Sequence, residues 1–144
     1  MAKTQDSVPE NFPLRCRILT PERTVCDLQT DFVVVWLEDG QLGIAPARMP
    51  MMARLAIGPL RIGRVGQEPK YYYVEGGLVA LDENLVTVWT ERAIPAEELD
   101  PAAVAERLRA AQALPAATPD QQHRREQAIQ IAQGQWRVVQ AFSP

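Results

Sequence analysis

Side chains able to make or break bonds are few in this chain. It holds two cysteines, Cys16 and Cys26, and one histidine, His123. A structural zinc site needs four soft ligands, so these three cannot build one. The only serines, Ser7 and Ser143, lie near the chain ends, where order is usually poor, and do not readily join a buried Ser-His-Asp arrangement. Glu75 and Asp82 are scattered acids in turn-forming stretches, the setting of solvated caps more than of an acid-base pair. Cys16 and Cys26 flank a turn at Pro21 and can face each other across a hairpin; in a reducing compartment they are expected to be small buried hydrophobes. What remains is binding chemistry. Tyr71, Tyr72, Tyr73 and Trp89 would offer a small molecule or glycan an aromatic platform, although strand alternation lets only Tyr71 and Tyr73 of the three tyrosines share a face. Arg107, Arg109, Arg124, Arg125 and Arg137 could meet an acidic partner. No catalytic residue, cofactor or metal is expected.

These side chains belong to 144 residues, enough for one domain or a small domain with an appendage. Apolar residues make up 47% and charged residues 23%, which excludes wholesale disorder. The longest apolar run, Phe32 to Leu37, is far short of the ~20 residues that cross a bilayer. Residues 1–12 carry no apolar signal-peptide core, so the chain is expected to stay in the cytoplasm, without membrane insertion. Residues 1–100 hold 10 basic and 15 acidic side chains, whereas residues 101–144 hold 5 basic and 3 acidic. The tail is therefore the basic part of an acidic chain. Nucleic acid is a poor partner, because no basic patch interleaves with aromatics.

Periodicity predicts the elements that carry these residues. Leu14, Cys16 and Ile18 alternate with arginines as in a half-buried strand, and Val25 to Leu28 reads as its return. Asp31 to Leu37 is rich in β-branched and aromatic residues without alternation, which suits a central strand covered on both faces. Short strands follow at Leu42 to Ile44, Met52 to Leu55, Leu60 to Ile62, Lys70 to Glu75, Leu78 to Leu81 and Leu85 to Thr90, with turns at Gly58-Pro59 and Asp82-Glu83-Asn84 and a bend at Gly76-Gly77. Many short strands with no helix between them predict an all-β sandwich of about ten short antiparallel strands. After Pro95 the composition turns to alanine, arginine and glutamine. Asp100-Pro101 starts one helix and Thr118-Pro119-Asp120-Gln121 caps a second, predicting an antiparallel helical hairpin. Its stripes, Val104, Leu108 and Ala111, then Ile129, Ala132, Trp136 and Val139, are narrow, so weak docking is expected. Gly134 marks either a bend or a close crossing. The expected division is a flexible extension at 1–13, a sandwich at 14–96 and a hairpin at 97–144.

The stretch Gly40-Gln41-Leu42-Gly43-Ile44-Ala45-Pro46-Ala47-Arg48-Met49-Pro50 resembles the most recognisable segment of the epsilon subunits of bacterial F-type ATP synthases. Leu55 to Ile62, Tyr73-Val74-Glu75-Gly76-Gly77, Val86-Thr87-Val88 leading to Ala93, and Ala132 to Val139 match in the same order, so the resemblance covers roughly Leu14 to Gln140. It implies a non-catalytic rotor subunit of the central stalk, peripheral on the cytoplasmic face of the bacterial plasma membrane. Its partners would be the gamma subunit, the c ring and, through the helical tail, the catalytic alpha/beta head, whose ATP hydrolysis the tail can restrain.

By the same resemblance Gln41, Leu42, Gly43, Arg48 and Met49 belong to the segment facing the c ring and gamma, and the tail arginines are regulatory contacts. Family members often carry an acid where Gln41 stands and a histidine where Arg48 stands. Some bind ATP through a motif that here reads Leu99-Asp100-Pro101-Ala102-Ala103-Val104, with Ala103 in place of an arginine. Alanine cannot supply charge-assisted bonds to phosphate, so ATP binding is expected to be weak or absent and Asp100 to be a helix cap.

Overall fold

The computed structural model describes residues 13–142. Of the expected extension at 1–13, all but Pro13 lies outside the described residues. Eight strands come first: β1 (Leu14–Leu19), β2 (Thr24–Thr30), β3 (Phe32–Leu37), β4 (Gly40–Ile44), β5 (Met51–Gly63), β6 (Lys70–Asp82), β7 (Leu85–Trp89) and β8 (Ala93–Pro95). A 3-10 turn at Ala96–Glu98 leads to α1 (Pro101–Gln112) and α2 (Pro119–Phe142).

Neighbouring strands run in the order β2-β1-β7-β6-β5-β3-β4, with β8 on β6. The pairs are antiparallel except β1 with β7, which run parallel from Arg15↔Leu85 to Leu19↔Trp89. Parallel pairing needs a long connection, and here most of the sandwich supplies it. The difference from ten strands has a physical reason. Gly58-Pro59 and Gly76-Gly77 do not end strands; β5 and β6 pair through both sites, from Met51↔Leu81 to Ile62↔Lys70.

What changes at those sites is the face that is buried. In β5 the residues directed to the core are Met51, Ala53 and Leu55, then Leu60 and Ile62; in β6 they are Tyr72 and Val74, then Val79 and Leu81. Strand side chains alternate, so this switch of parity carries each strand from one layer to the other. One layer is β2-β1-β7 with the β6 and β5 halves nearer Leu81 and Met51. The other is β8, the remaining halves, β3 and β4. Counting both long strands twice recovers about ten. Gly76 and Gly77 permit the crossing through φ values of 73° and 104°, and a Cβ on Gly77 would lie 1.9 Å from the Trp89 carbonyl oxygen.

β3 is flanked by a strand on each side, as its composition predicts, but its two faces are covered unequally. It lies next to the edge strand β4, burying Val33 and Val35 while Phe32, Val34 and Trp36 stay half-buried. Its outward apolar row covers the sheet itself. The Phe32 ring lies over Gly63, where a Cβ would be 1.8 Å away, and the Arg61 guanidinium stacks 5.2 Å from the ring centroid. Cys16 and Cys26 are free and buried on the core face, with Cys16 opposite Leu28 and Cys26 opposite Ile18. Burial pushes both thiols above their usual range, as befits packing groups rather than nucleophiles.

The helix caps follow the sequence. Asp100 accepts from the Ala102 amide at 3.3 Å ahead of Pro101. Thr118 Oγ1 accepts from the Gln121 amide at 3.1 Å, while Gln121 Oε1 accepts from the Thr118 amide at 3.2 Å. The expected α2 stripe is covered, with Ala132 and Val139 buried and Ile129 and Trp136 half-buried, but it is joined by a second apolar row. Ile131 and Val138 pack with Tyr73, Ile57 and Ala96 of the sandwich, and α1 buries Val104 and Ala111. The long helix thus lies between the sheet and α1, and Trp136 is only half-buried.

Candidate functional site

Three surfaces remain once the core is accounted for. The first surrounds β4. Gln41 and Gly43 pair with Trp36 and Val34 and are exposed, whereas Leu42 and Ile44 turn inward. Arg48 and Met49 lie beyond the other end of this five-residue strand, so Gln41 and Arg48 do not form one cluster; at ~3.3 Å per residue the strand separates the two ends by roughly 10 Å or more. The loop carrying Arg48 and Met49 is pinned where Ala47, at a φ of 64°, donates its amide to Asn84 Oδ1 at 2.8 Å. Asn84 is itself left-handed, with a φ of 64°, in the β6–β7 turn. The two turns therefore brace each other and leave Arg48, Met49 and Pro50 exposed.

The second surface is the outer face of the layer containing β7. Alternation sends Val86 and Val88 into the core and turns Leu85, Thr87 and Trp89 to the other face, where Thr87 is buried, Leu85 half-buried and Trp89 exposed. Trp89 pairs with Leu78, and Met52 pairs with Ala80. Met52 is 68% exposed, Trp89 44% and Leu78 41%. Two shallow grooves of 540 and 520 Å³ share the Trp89 wall, one reaching Leu19 and Pro21 and the other Pro50 and Leu85. Apolar side chains grouped in this way on one face characterise a protein-binding surface.

The third surface is the opposite outer face, which α2 covers. Gly134 sits against β5, and a Cβ there would meet Ile57 Cγ2 at 2.6 Å and the Ile57 carbonyl oxygen at 3.0 Å. Gly134 therefore marks a close crossing. Tyr71 meets Phe142 edge-to-face at 6.4 Å between ring centroids. Tyr73 is fully buried beside Val138. Thus Tyr71 and Tyr73 form the seat of the helix, Trp89 belongs to the other layer, and the aromatic ligand platform does not exist. Burial and the neighbouring Glu75 carboxylate push the Tyr73 hydroxyl above its usual range. That hydroxyl donates to Glu75 Oε1 at 2.9 Å.

Most of the tail arginines are engaged inside the fold. Arg107 donates to Gln135 Oε1, Arg125 donates to the Gln112 carbonyl at 3.2 and 3.3 Å, and Arg137 donates to the Ile57 carbonyl at 3.4 Å. Arg109 pairs with Glu106 on its own helix, and Arg124 is exposed. Sequence reasoning passed over Gln135, because a glutamine in a polar helix reads as solvated. Its position between Gly134, which allows close approach, and the buried Val138 was the available signal.

The Asp100 carboxylate is occupied as a cap, and Ala103 is half-buried in the first turn of α1. Among the described residues no group of three or more His, Cys, Asp or Glu side chains could hold a metal ion. No helix among them is long and apolar enough to cross a membrane.

Comparison with known proteins is consistent with this arrangement. Residues 13–96 match the family described as the ATP synthase delta/epsilon chain beta-sandwich domain. The ATP synthase epsilon chain of Rhodopirellula baltica is 40% identical over 125 residues, spanning 87% of this chain and 97% of that protein. The epsilon chain of Xylella fastidiosa is 30% identical over 128 residues, 89% of this chain and 86% of that one. A chain in the Euglena gracilis mitochondrial ATP synthase structure shares the fold, with a TM-score of 0.76 at 20% identity over 93% of this chain and 88% of that one. With a matching sandwich domain and a relative 40% identical over most of both chains, this chain belongs to the epsilon-chain family of ATP synthases.

Proposed function

We propose that the chain is a non-catalytic rotor subunit of an F-type ATP synthase, coupling the c ring and gamma subunit to the catalytic head, with a tail that restrains ATP hydrolysis. The uncovered apolar face around Met52, Leu78 and Trp89 carries the reading. A sandwich with one outer face under its own helix and the other bare is suited to seat a permanent partner on the bare side, and gamma is that partner. The matching Euglena structure is one of an OSCP/F1/c-ring assembly, and a Tetrahymena thermophila structure with a TM-score of 0.58 is one of a central stalk and c ring. Gln41, Leu42 and Gly43, with the loop bearing Arg48 and Met49, face the c ring and gamma. Neutral Gln41 makes that contact less dependent on ion pairing than an acidic residue would. The protein then sits peripherally on the cytoplasmic face of the bacterial membrane. The tail reaches the alpha/beta head when α1 and α2 leave the sandwich, which frees Arg137 from the Ile57 carbonyl, and when the two helices part, which frees Arg107 and Arg125; these then join Arg109 and Arg124 as contacts.

The test pairs a pull-down of gamma and the catalytic head with ATPase rates, using the full chain, a truncation ending at Leu99 and Trp89→Ala. Binding by the first two, inhibition only by the full chain, and at least about tenfold weaker binding by Trp89→Ala are expected, since a buried interface tryptophan is worth about 2 kcal/mol or more. Binding with equal rates removes the tail from the reading. Full binding by Trp89→Ala moves gamma to another surface.

A further inference from the structure

The apolar face around Trp89 is bordered by guanidinium groups. Alternation in β1 sends Cys16 and Ile18 to the core and turns Arg15 and Arg17 outward, where Arg17 pairs with Thr87 of β7. Trp89 follows on that same strand, two residues along and on the same face. Paired strands lie about 4.8 Å apart, so Arg17 stands at the immediate border of the Trp89 surface.

On its other side Arg17 pairs in register with Asp27 of β2. That carboxylate is committed elsewhere: Arg15 Nε and Nη2 donate to Oδ1 and Oδ2, both at 2.8 Å. A guanidinium fork holding both oxygens makes the stronger pair. Arg17 Nε is left 3.8 Å from Oδ2, beyond hydrogen-bond reach. This Nε is shut off from solvent and has no hydrogen-bond partner, yet the side chain as a whole is 38% exposed. Two cations therefore share one anion, and the surplus charge falls to Arg17.

We infer that Arg17 is a specificity-determining contact of this face, taking a carboxylate that gamma carries beside the apolar segment seated along Met52, Leu78 and Trp89. The inference rests on the rotor-subunit reading above, which puts gamma on this face. An apolar partner laid over Trp89 strips water from Arg17, and a desolvated cation is costly unless the partner supplies an anion. Beyond Nε a guanidinium keeps four N–H donors, a fork that fits a carboxylate in two bonds. The other charges of the face confine the acid to this border. Asp82 pairs with Leu85 on the far side of β7 from Arg15, and Glu91 lines the groove toward Leu19; both repel a carboxylate. Arg54, across Leu78 from Trp89, is exposed and stays hydrated at the rim.

Equilibrium binding of the full chain to a catalytic head carrying gamma tests it, at about 0.1 M and about 1 M salt, where charges are screened beyond about 10 and 3 Å. Arg17→Gln should weaken binding about tenfold at low salt and flatten the salt dependence. Arg17→Lys should recover part of that loss, because the charge returns without the fork. Asp27→Asn removes the competing anion and should tighten binding; if Arg17 acted only by bracing β1 against β2, the same change would weaken it. Arg54→Gln should cost less than Arg17→Gln. Exposed ion pairs add little to stability, so thermal melts of all four variants should match the parent chain. Unchanged binding by Arg17→Gln while Trp89→Ala still weakens it leaves gamma on this face and overturns the carboxylate contact. Weaker binding by Asp27→Asn, or a larger loss in Arg54→Gln than in Arg17→Gln, overturns it as well. Full binding by Trp89→Ala removes gamma from the face, and the inference falls together with that reading.

Discussion

Replacing Gly134 by alanine sets two effects of opposite sign against each other. Within an isolated helix the change is favourable, since glycine in a helix interior is worse than alanine by about 1 kcal/mol. In the docked hairpin the new methyl group would lie 2.6 Å from Ile57 Cγ2 and 3.0 and 3.1 Å from the Ile57 carbonyl oxygen and carbon. The side-chain atom can rotate aside; the backbone atoms belong to a paired strand and cannot. Relieving the backbone contact takes a retreat of about 0.4 Å, toward the usual separation of about 3.5 Å between heavy atoms. Opening a seam by about half an ångström forfeits roughly a quarter of each contact along it, and Val138, Ile131 and Tyr73 all lie in that seam. Overpacking of this kind costs about 1–3 kcal/mol, so the docked state should lose about 1 kcal/mol net and the undocked population should rise about fivefold. Hydrogen exchange of residues 131–139 reads the population, and circular dichroism of an isolated α2 peptide reads the helix term. Faster exchange in the protein with greater helicity in the peptide is the expected pair. Slower exchange in Gly134→Ala would refute the close-crossing argument, because it would mean that helix propensity outweighs the Ile57 contact.

Gly77→Ala should destabilise the sandwich by about 2 kcal/mol or more, because the left-handed φ of 104° and the Trp89 carbonyl oxygen at 1.9 Å both oppose a Cβ; urea denaturation measures it, and a loss under about 0.5 kcal/mol would contradict the crossing geometry. Asn84→Ala removes the acceptor of the Ala47 amide, so limited proteolysis at Arg48 should quicken while global stability falls by only about 1 kcal/mol. Calorimetric titration with ATP should give no binding in the micromolar range, since Ala103 supplies no charge and Asp100 is committed to the Ala102 amide; a micromolar isotherm would reject that.

Much of the architecture was legible in local pattern. The alternation in β1 and β7, the caps at Asp100 and Thr118, and the change of composition after Pro95 each report a short-range interaction, and each appears where the sequence indicates. The errors arise where local signals compete with long-range pairing. Gly58-Pro59 and Gly76-Gly77 look like ends of strands because glycine and proline weaken a ladder, yet the partner strand holds the pairing through both. Phe32 to Leu37 looked doubly covered because nothing local reveals that an aromatic ring will lie over Gly63 of another strand. On the candidate surfaces, the apolar outer row of β7 was readable from alternation. The engagement of Arg137 depends on a helix packing on a strand 80 positions away in the chain, and that of Arg107 with the buried Gln135 on a second helix 28 positions away, which periodicity within one helix does not encode.

The parity switch in β5 and β6 also bears on how the molecule transmits force. In an ordinary sandwich two separate sheets touch through side chains and can shear past each other under load. Here a two-stranded ribbon, 13 residues in each strand, belongs to both sheets, so covalent backbone and a shared ladder of hydrogen bonds join them. A torque applied at the Met49 loop must stretch that ribbon before it can slide one layer over the other. On the rotor-subunit reading proposed above, the switch would serve as a torsional key that lets the domain move as a stiff block, with compliance confined to the helices on its outer face.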